Sequence, residues 1–316
     1  MSNLSFKSEF LLLEFSEVRE LQILHSLVFL VLYLATMMEN LLIIAAIAVD
    51  HHLHTPMYFF LMNLAILDIA SISVIIPKSI ANSITGSRSI SYSGCAAQVF
   101  LYFLFETTDF VILTVMARDR YVAICNPLQY ETIMHKAACV QMAGSAWIAG
   151  FLNAAMHTGS TFSLHFCSNV VNQFFCEIPS LLSISCSDLY LVGVGLLAFT
   201  SGLSLGCFIF IIVTYVQIFT AVLKIPSVHG QRKALSTCIP HLTVFCLFET
   251  TAVLAYTRSP TNSSSGQDLV IAIIYTMVPP LMNPVIYSMR NKSIKAALWK
   301  LLGIGHSLDS ISRIAL

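Results

Sequence analysis

The chain has 316 residues, 57% of them hydrophobic and only 10% charged, and its mean hydropathy is +0.80. Soluble domains are about 45–50% apolar and about 25% charged, so the apolar surface that would have to be hidden excludes a water-soluble globule. The 16 basic and 16 acidic residues cancel, leaving no net charge to hold nucleic acid. The 21 Phe and 11 Tyr exclude disorder.

Residues 1–22 read as an N-terminal extension. Lys7, Glu9, Glu14, Glu17, Arg19 and Glu20 argue against a cleavable signal peptide, and Asn3-Leu4-Ser5 is a glycosylation sequon that marks Asn3 for modification. A helix crosses a bilayer with roughly 17–25 mostly apolar residues. Runs of that kind predict spans at about 23–48, 57–80, 95–120, 138–160, 194–223, 234–257 and 269–289. The fold expected is therefore an all-α membrane protein, a seven-transmembrane helix bundle. A β-barrel would alternate apolar and polar residues over runs of about 10, and segments such as LVIAIIYTMVPPL do not. Residues 290–316 form a tail, and its start, Arg290 to Leu302, reads as a short amphipathic helix on the membrane.

Lys and Arg near the span ends set the orientation. With the N-terminus outside, eleven of the sixteen basic residues lie on the cytoplasmic side and five outside. An extracellular N-terminus is expected. Of nine cysteines, Cys95, Cys167, Cys176 and Cys186 then fall outside, where disulfides form, and four cysteines allow three pairings. The other five read as small apolar packing residues.

Two stretches look mechanistic. Asp119-Arg120-Tyr121 sits at the cytoplasmic end of the third span. As a solvated ion pair it would be worth little, but a guanidinium held by its neighbour beside an apolar helix makes a latch that a partner can open. The seventh span ends Pro279-Pro280-Leu281-Met282-Asn283-Pro284-Val285-Ile286-Tyr287. Proline inside a helix removes a backbone hydrogen bond and bends it, which makes a hinge that carries Tyr287 inward.

These stretches, with Leu53-His54-Thr55-Pro56-Met57-Tyr58-Phe59-Phe60-Leu61 and Lys233-Ala234-Leu235-Ser236-Thr237-Cys238, follow one another at the expected spans. In that order they resemble the vertebrate olfactory receptors, which are rhodopsin-like G-protein-coupled receptors, and the resemblance runs nearly end to end. It implies disulfides Cys95–Cys176 and Cys167–Cys186. It implies that Asp119 restrains Arg120 until a G protein is met, and that Tyr215 and Tyr287 pack inward to support the open state. It also implies that Asp68 and Asp109 hold a sodium ion at rest. Two intramembrane carboxylates at similar depth are expensive apart, which gives that pairing a physical reason. Four positions depart from the family pattern: Glu14 and Glu39 stand where Gly is usual, Arg118 where Tyr is usual, and Glu249 where an aromatic or small residue is usual.

Glu106 lies 14 residues before Arg120, about 21 Å along the third helix, in the outer half where rhodopsin-like receptors bind ligands. Tyr102 shares its face one turn away. On the sixth helix Glu249 and Tyr256 share a face with Ala252 between them. The resemblance adds Phe199 and Leu203 from the fifth helix and Ile273 and Met277 from the seventh. Two carboxylates in one apolar cavity suggest a cationic odorant such as a volatile amine. Thr107, Thr250 or water would satisfy the acids instead if the ligand is neutral, which is the default for a mostly apolar pocket.

Rival functions lack their chemistry. A retinal photoreceptor needs a lysine in the last span, and Leu269 to Met289 has none. A transporter would show matching broken halves. An enzyme needs a nucleophile–base set or metal ligands, yet His51, His52 and His54 have no Cys or acid at zinc-like spacing. A peptide receptor would want more charge outside. The resemblance thus implies a plasma-membrane odorant receptor with no enzymatic activity and no cofactor beyond the sodium ion. Its partners would be a small volatile odorant, membrane lipid and a stimulatory, olfactory-type heterotrimeric G protein that raises cyclic AMP.

Overall fold

Apolar runs become long helices because, in hydrocarbon, every backbone N–H and C=O must be satisfied within its own segment. In the computed structural model, which describes residues 9–13, 18–186, 190–256, 266–290 and 292–301, the chain opens with strand β1 (Glu9–Leu12) and helix α1 (Arg19–Val49). Helix α2 (Pro56–Thr85), strand β2 (Ser89–Ser91) and helix α3 (Tyr92–Cys125) follow. A short turn α4 (Tyr130–Ile133) leads into α5 (Lys136–Phe162), and a long loop carries β3 (Val170–Val171) and α6 (Ile178–Ser183). Helices α7 (Tyr190–Leu223), α8 (Val228–Tyr256), α9 (Gly266–Arg290) and α10 (Lys292–Leu301) are the last of the described elements. Asn3 and Glu14 lie outside the described residues.

Among the described residues, five helices are long and apolar enough to cross a membrane: α1, α2, α3, Leu191–Leu223 of α7 and Val270–Tyr287 of α9. Helices α5 and α8 have 27 and 29 residues, about 40 Å at 1.5 Å per residue, but are diluted by Gly, Ser and Thr in one and by Gln231, Arg232, Lys233 and Glu249 in the other. The bundle's exterior is apolar, as in Val31, Val49, Ile148 and Leu191, the surface that lipid rather than water tolerates. The chain is a multi-pass membrane protein.

Terminating chemistry is legible at α2. Pro56 occupies its first turn, where no N–H is needed. Gly86 follows its last residue with φ +68°, a left-handed conformation that other residues rarely adopt. Arg19 of α1 then donates to the freed carbonyls of Ser83, at 2.6 Å, and of Ile84, which also suits the negative end of that helix.

Interior prolines are compensated in the same way. Pro284 has no N–H to offer the Pro280 carbonyl one turn back. Asn40 of α1 supplies the missing donor at 3.2 Å and reaches Thr36 O at 3.0 Å as well. Next to the proline, Asn283 donates to both oxygens of Asp68 at 3.1 Å, tying α9 to α2. Helices α3 and α5 approach closely at Gly150, where an added Cβ would stand 2.2 Å from Thr108 Oγ1 and 2.7 Å from the Leu104 carbonyl. Helix α10 buries Ile294 and Ala297 and leaves Trp299 exposed, as its amphipathic pattern requires.

One end of the bundle carries a small sheet in the order β2-β1-β3. Strand β1 runs antiparallel to β2, with Phe10 opposite Ile90, and parallel to β3, with Leu11 opposite Val170. Phe10 and Leu12 are buried beneath it with Ile90, Val171 and Leu182. The sequence reading of residues 1–22 as an extracellular N-terminus named no strand there. Its apolar content is only a few residues long, and its partners lie far away in the chain.

Candidate ligand and coupling sites

At the sheet-bearing end, two disulfides fix the long loop. Cys95 of α3 is joined to Cys176, and Cys167 to Cys186, which selects one of the three pairings open to four cysteines. Gln98 reinforces the first bridge. Its side chain accepts from Cys176 N at 2.8 Å and donates to Val74 O at 3.0 Å, so α2, α3 and the loop meet at one amide.

The loop therefore delivers Phe174 and Phe175 into the bundle. Phe175 stacks obliquely on Tyr102 of α3 and Tyr275 of α9, with ring centroids 5.8 and 6.2 Å apart. Met277 and Ile273 join this cluster. The carboxylate of Glu177 accepts hydrogen bonds from Tyr275 Oη at 2.5 Å and Ser180 Oγ at 2.9 Å, so the loop is tied to α9 as well as to α3.

Of the residues expected around a ligand, Tyr102, Ile273 and Met277 come together here. Glu106 lies half-buried one turn further along the Tyr102 face, and no hydrogen-bond donor meets it among the described residues. Thr107 accepts from Asn153 of α5 at 2.8 Å. Glu249 is half-buried on α8. Phe199 and Leu203 stand apart: they are 60% and 58% exposed on the outer surface of α7. The side chains of Ala252 and Tyr256 lie outside the described residues. Sequence reasoning missed Phe174, Phe175, Glu177 and Tyr275. Three of them are loop residues without helical periodicity; their position beside Cys176 was the available signal.

The opposite end is held by polar contacts. Asp119 is fully buried and accepts from Arg120 Nε at 2.9 Å and from Arg120 Nη2. Its other oxygen accepts from Tyr130 Oη of α4 at 2.8 Å. Burial first, and then the Asp119 carboxylate, push the Tyr130 phenol above its ordinary range, so Tyr130 is a donor at any physiological pH. Tyr121 is half-buried against the core at this end.

A second chain joins three helices. His241 Nε2 lies 2.9 Å from the Leu113 carbonyl, which only accepts, so this nitrogen carries the proton. Nδ1 therefore accepts from Tyr215 Oη at 2.6 Å. Helices α3, α7 and α8 are thus linked through one imidazole, which sequence reading passed over because its partners lie 26 and 128 residues away. Tyr287 is buried nearby in the same core. Towards the middle of the bundle, buried oxygens of Asp109, Asn283 and Tyr287 have no hydrogen-bond partner among the described residues.

A multi-pass helical bundle with a disulfide-pinned loop over one end and a buried arginine latch at the other has the form of a G-protein-coupled receptor. Residues 29–304 match the olfactory receptor family. The human Olfactory receptor 14I1 is 52% identical over 302 residues, covering 95% of this chain and 97% of the relative. The human Olfactory receptor 14A16 is 51% identical over 303 residues, covering 96% and 98%. The mouse Olfactory receptor 5AP2 is 42% identical over 296 residues, covering 93% of each. The chain belongs to the olfactory receptor family; it is an odorant receptor and not an enzyme.

Proposed function

We propose that the sheet-bearing end faces outward at the plasma membrane, that a small volatile odorant binds beneath it, and that the Arg120 end activates a stimulatory, olfactory-type G protein to raise cyclic AMP. The observation that carries the coupling half is the Asp119–Arg120–Tyr130 set. It is a largely buried cation satisfied by its own neighbour, and a partner can claim it only if the helices around it part. Movement of α8 away from α3 must break the His241–Leu113 hydrogen bond. A ligand drives that movement only as far as it binds the open form better than the closed one.

The ligand would meet Tyr102, Glu106, Ile273, Met277 and, across the bundle, Glu249. Glu106 favours a second reading, a volatile amine, because its carboxylate has no donor among the described residues while Thr107 is engaged with Asn153. The sodium ion implied by the family fits the chemistry available. Hard cations take oxygen ligands, and buried oxygens of Asp109 and Asn283 that are unpaired among the described residues lie in the bundle with Asp68, which Asn283 holds. Such an ion would supply positive charge to two carboxylates at rest; Asp68 and Asp109 would hold it.

The test is cyclic AMP in cells expressing the chain with the olfactory G protein, challenged with amines, carboxylic acids and neutral odorants. The N-terminus is stained on intact cells as a control. A response to any of these classes with surface staining is expected. Surface staining with responses through a different G protein only would sink the coupling proposal. Loss of an amine response in Glu106→Gln would support the second reading; unchanged potency in both Glu106→Gln and Glu249→Gln would end it.

A further inference from the structure

Arg118 stands where the family usually has Tyr, and neither the ligand site nor the Asp119 latch uses it. It is exposed on the outer side of α3, and no acidic group pairs with it among the described residues. It borders a groove of about 370 Å³ between α3 and α5. Val111 and Val115 form one wall, two turns and one turn from Arg118 on the same helical face; Met142 forms the other. Gln141 and Ser145, four residues apart on α5, are exposed at the groove, and neither finds a hydrogen-bond partner among the described residues.

These features make an unusual surface for a membrane helix. A guanidinium near hydrocarbon is costly unless it reaches the interface or meets an anion. Arg118 lies seven residues before the end of α3, about 10 Å along the axis, so its long side chain can reach headgroup depth while Val111 and Val115 remain among acyl chains. Amide and hydroxyl groups exposed beside them suit the ester oxygens of a glycerolipid. With this end facing the cytoplasm, as proposed above, the groove meets the leaflet rich in anionic lipid, and basic pockets between helices there bind lipid headgroups.

We propose that the α3–α5 groove is a binding site for one anionic phospholipid, its phosphate against Arg118 and an acyl chain between Val115 and Met142. The charge complementarity of Arg118, the one cation among the groove-lining residues, beside an apolar slot selects this occupant over a sterol, which brings no anion.

The full-length receptor is reconstituted in bilayers of equal parts phosphatidylcholine and phosphatidylserine, extracted gently, and its retained lipids are counted by native mass spectrometry. Wild-type receptor is expected to retain phosphatidylserine in preference, and Arg118→Gln to lose about fivefold of that preference, the effect of one cation at the surface. Arg118→Lys should keep most of it. Arg118→Tyr restores the residue usual in the family and so guards against misfolding; it should behave as Arg118→Gln does. Ser145→Phe, which fills the groove without touching the charge, should lower the retained lipid of both kinds. Equal retention of the two lipids by wild type, or a phosphatidylserine preference unchanged in Arg118→Gln and Arg118→Tyr, would overturn the proposal. Because the readout is lipid and not cyclic AMP, it stands whatever the odorant or G protein proves to be, and bilayers expose both leaflets to the same mixture.

Discussion

The two ends of the bundle are held by different forces. At the sheet-bearing end, two covalent bridges, a three-stranded sheet and a packed aromatic cluster fix the loop. At the Arg120 end, the comparable work is done by hydrogen bonds: Asp119 with Arg120 and Tyr130, and His241 with Tyr215 and Leu113. A disulfide has no substitute that a partner could offer. A hydrogen bond to a charged or polar group does, since a partner can return donor for donor. One end is built to keep a shape, and the other to exchange its contacts.

Removing the first bridge should produce the largest effect. Cys95 and Cys176 are separated by 81 residues, and freeing a loop of that length costs about 4.5 kcal/mol in the chain-entropy account. Cys95→Ser should abolish N-terminal staining on intact cells. The bridge from Cys167 spans 19 residues and is worth about 3.3 kcal/mol on the same basis, so Cys167→Ser should reduce staining less. Equal loss in both would show that the loop, not its length, sets the penalty.

Gly150 tests the comparison from the middle, where neither kind of end contributes. Adding a methyl meets a backbone carbonyl at 2.7 Å, which cannot rotate away, and overpacking of that sort costs about 1–3 kcal/mol. Gly150→Ala should lower the thermal midpoint of the purified receptor, with no selective change in basal signalling.

His241→Leu should act at one end only. It orphans the Tyr215 hydroxyl and removes the bond that the Leu113 carbonyl makes across to α8, about 2 kcal/mol against the closed arrangement, or about 30-fold in an equilibrium. Ligand-independent cyclic AMP should rise. Unchanged basal signal at equal surface expression would show that this chain of hydrogen bonds does not restrain α8.

The smallest effect is expected at the tie between loop and α9. Tyr275→Phe removes one hydrogen bond to the Glu177 carboxylate, about 1.5 kcal/mol, while both disulfides still hold the loop. Odorant potency should shift by about tenfold or less, with surface staining intact. A collapse of staining would mean that the covalent ties are not the dominant ones at this end.

Helix positions were legible because length and apolarity are local properties. α1, α2 and α3 each run a few residues past the apolar runs that announced them, since backbone hydrogen bonding continues where hydrophobicity stops. Pro284 likewise declared itself a break in the hydrogen-bond ladder of the seventh span through backbone chemistry alone. Asp119 and Arg120 are adjacent, so their pairing could be read directly.

Long-range partners were decided only in three dimensions. The residues alone left three pairings open to four cysteines; the resemblance implied Cys95–Cys176 and Cys167–Cys186, and the loop's path bears that out by putting Cys176 beside Cys95. Strand β1 has too few apolar residues to announce itself; it forms because Ser89–Ser91 and Val170–Val171 offer open edges that bury Phe10 and Leu12. Phe199 and Leu203 turned outward on α7, since an apolar side chain in a bilayer is as well solvated by lipid as by the interior and periodicity cannot distinguish the two. The sequence by itself determined where the chain becomes helix, because that rests on neighbours within a few turns. Which faces meet, which acids share an interior, and where Arg118 finds a groove depended on residues tens to hundreds of positions apart, whose proximity only packing creates.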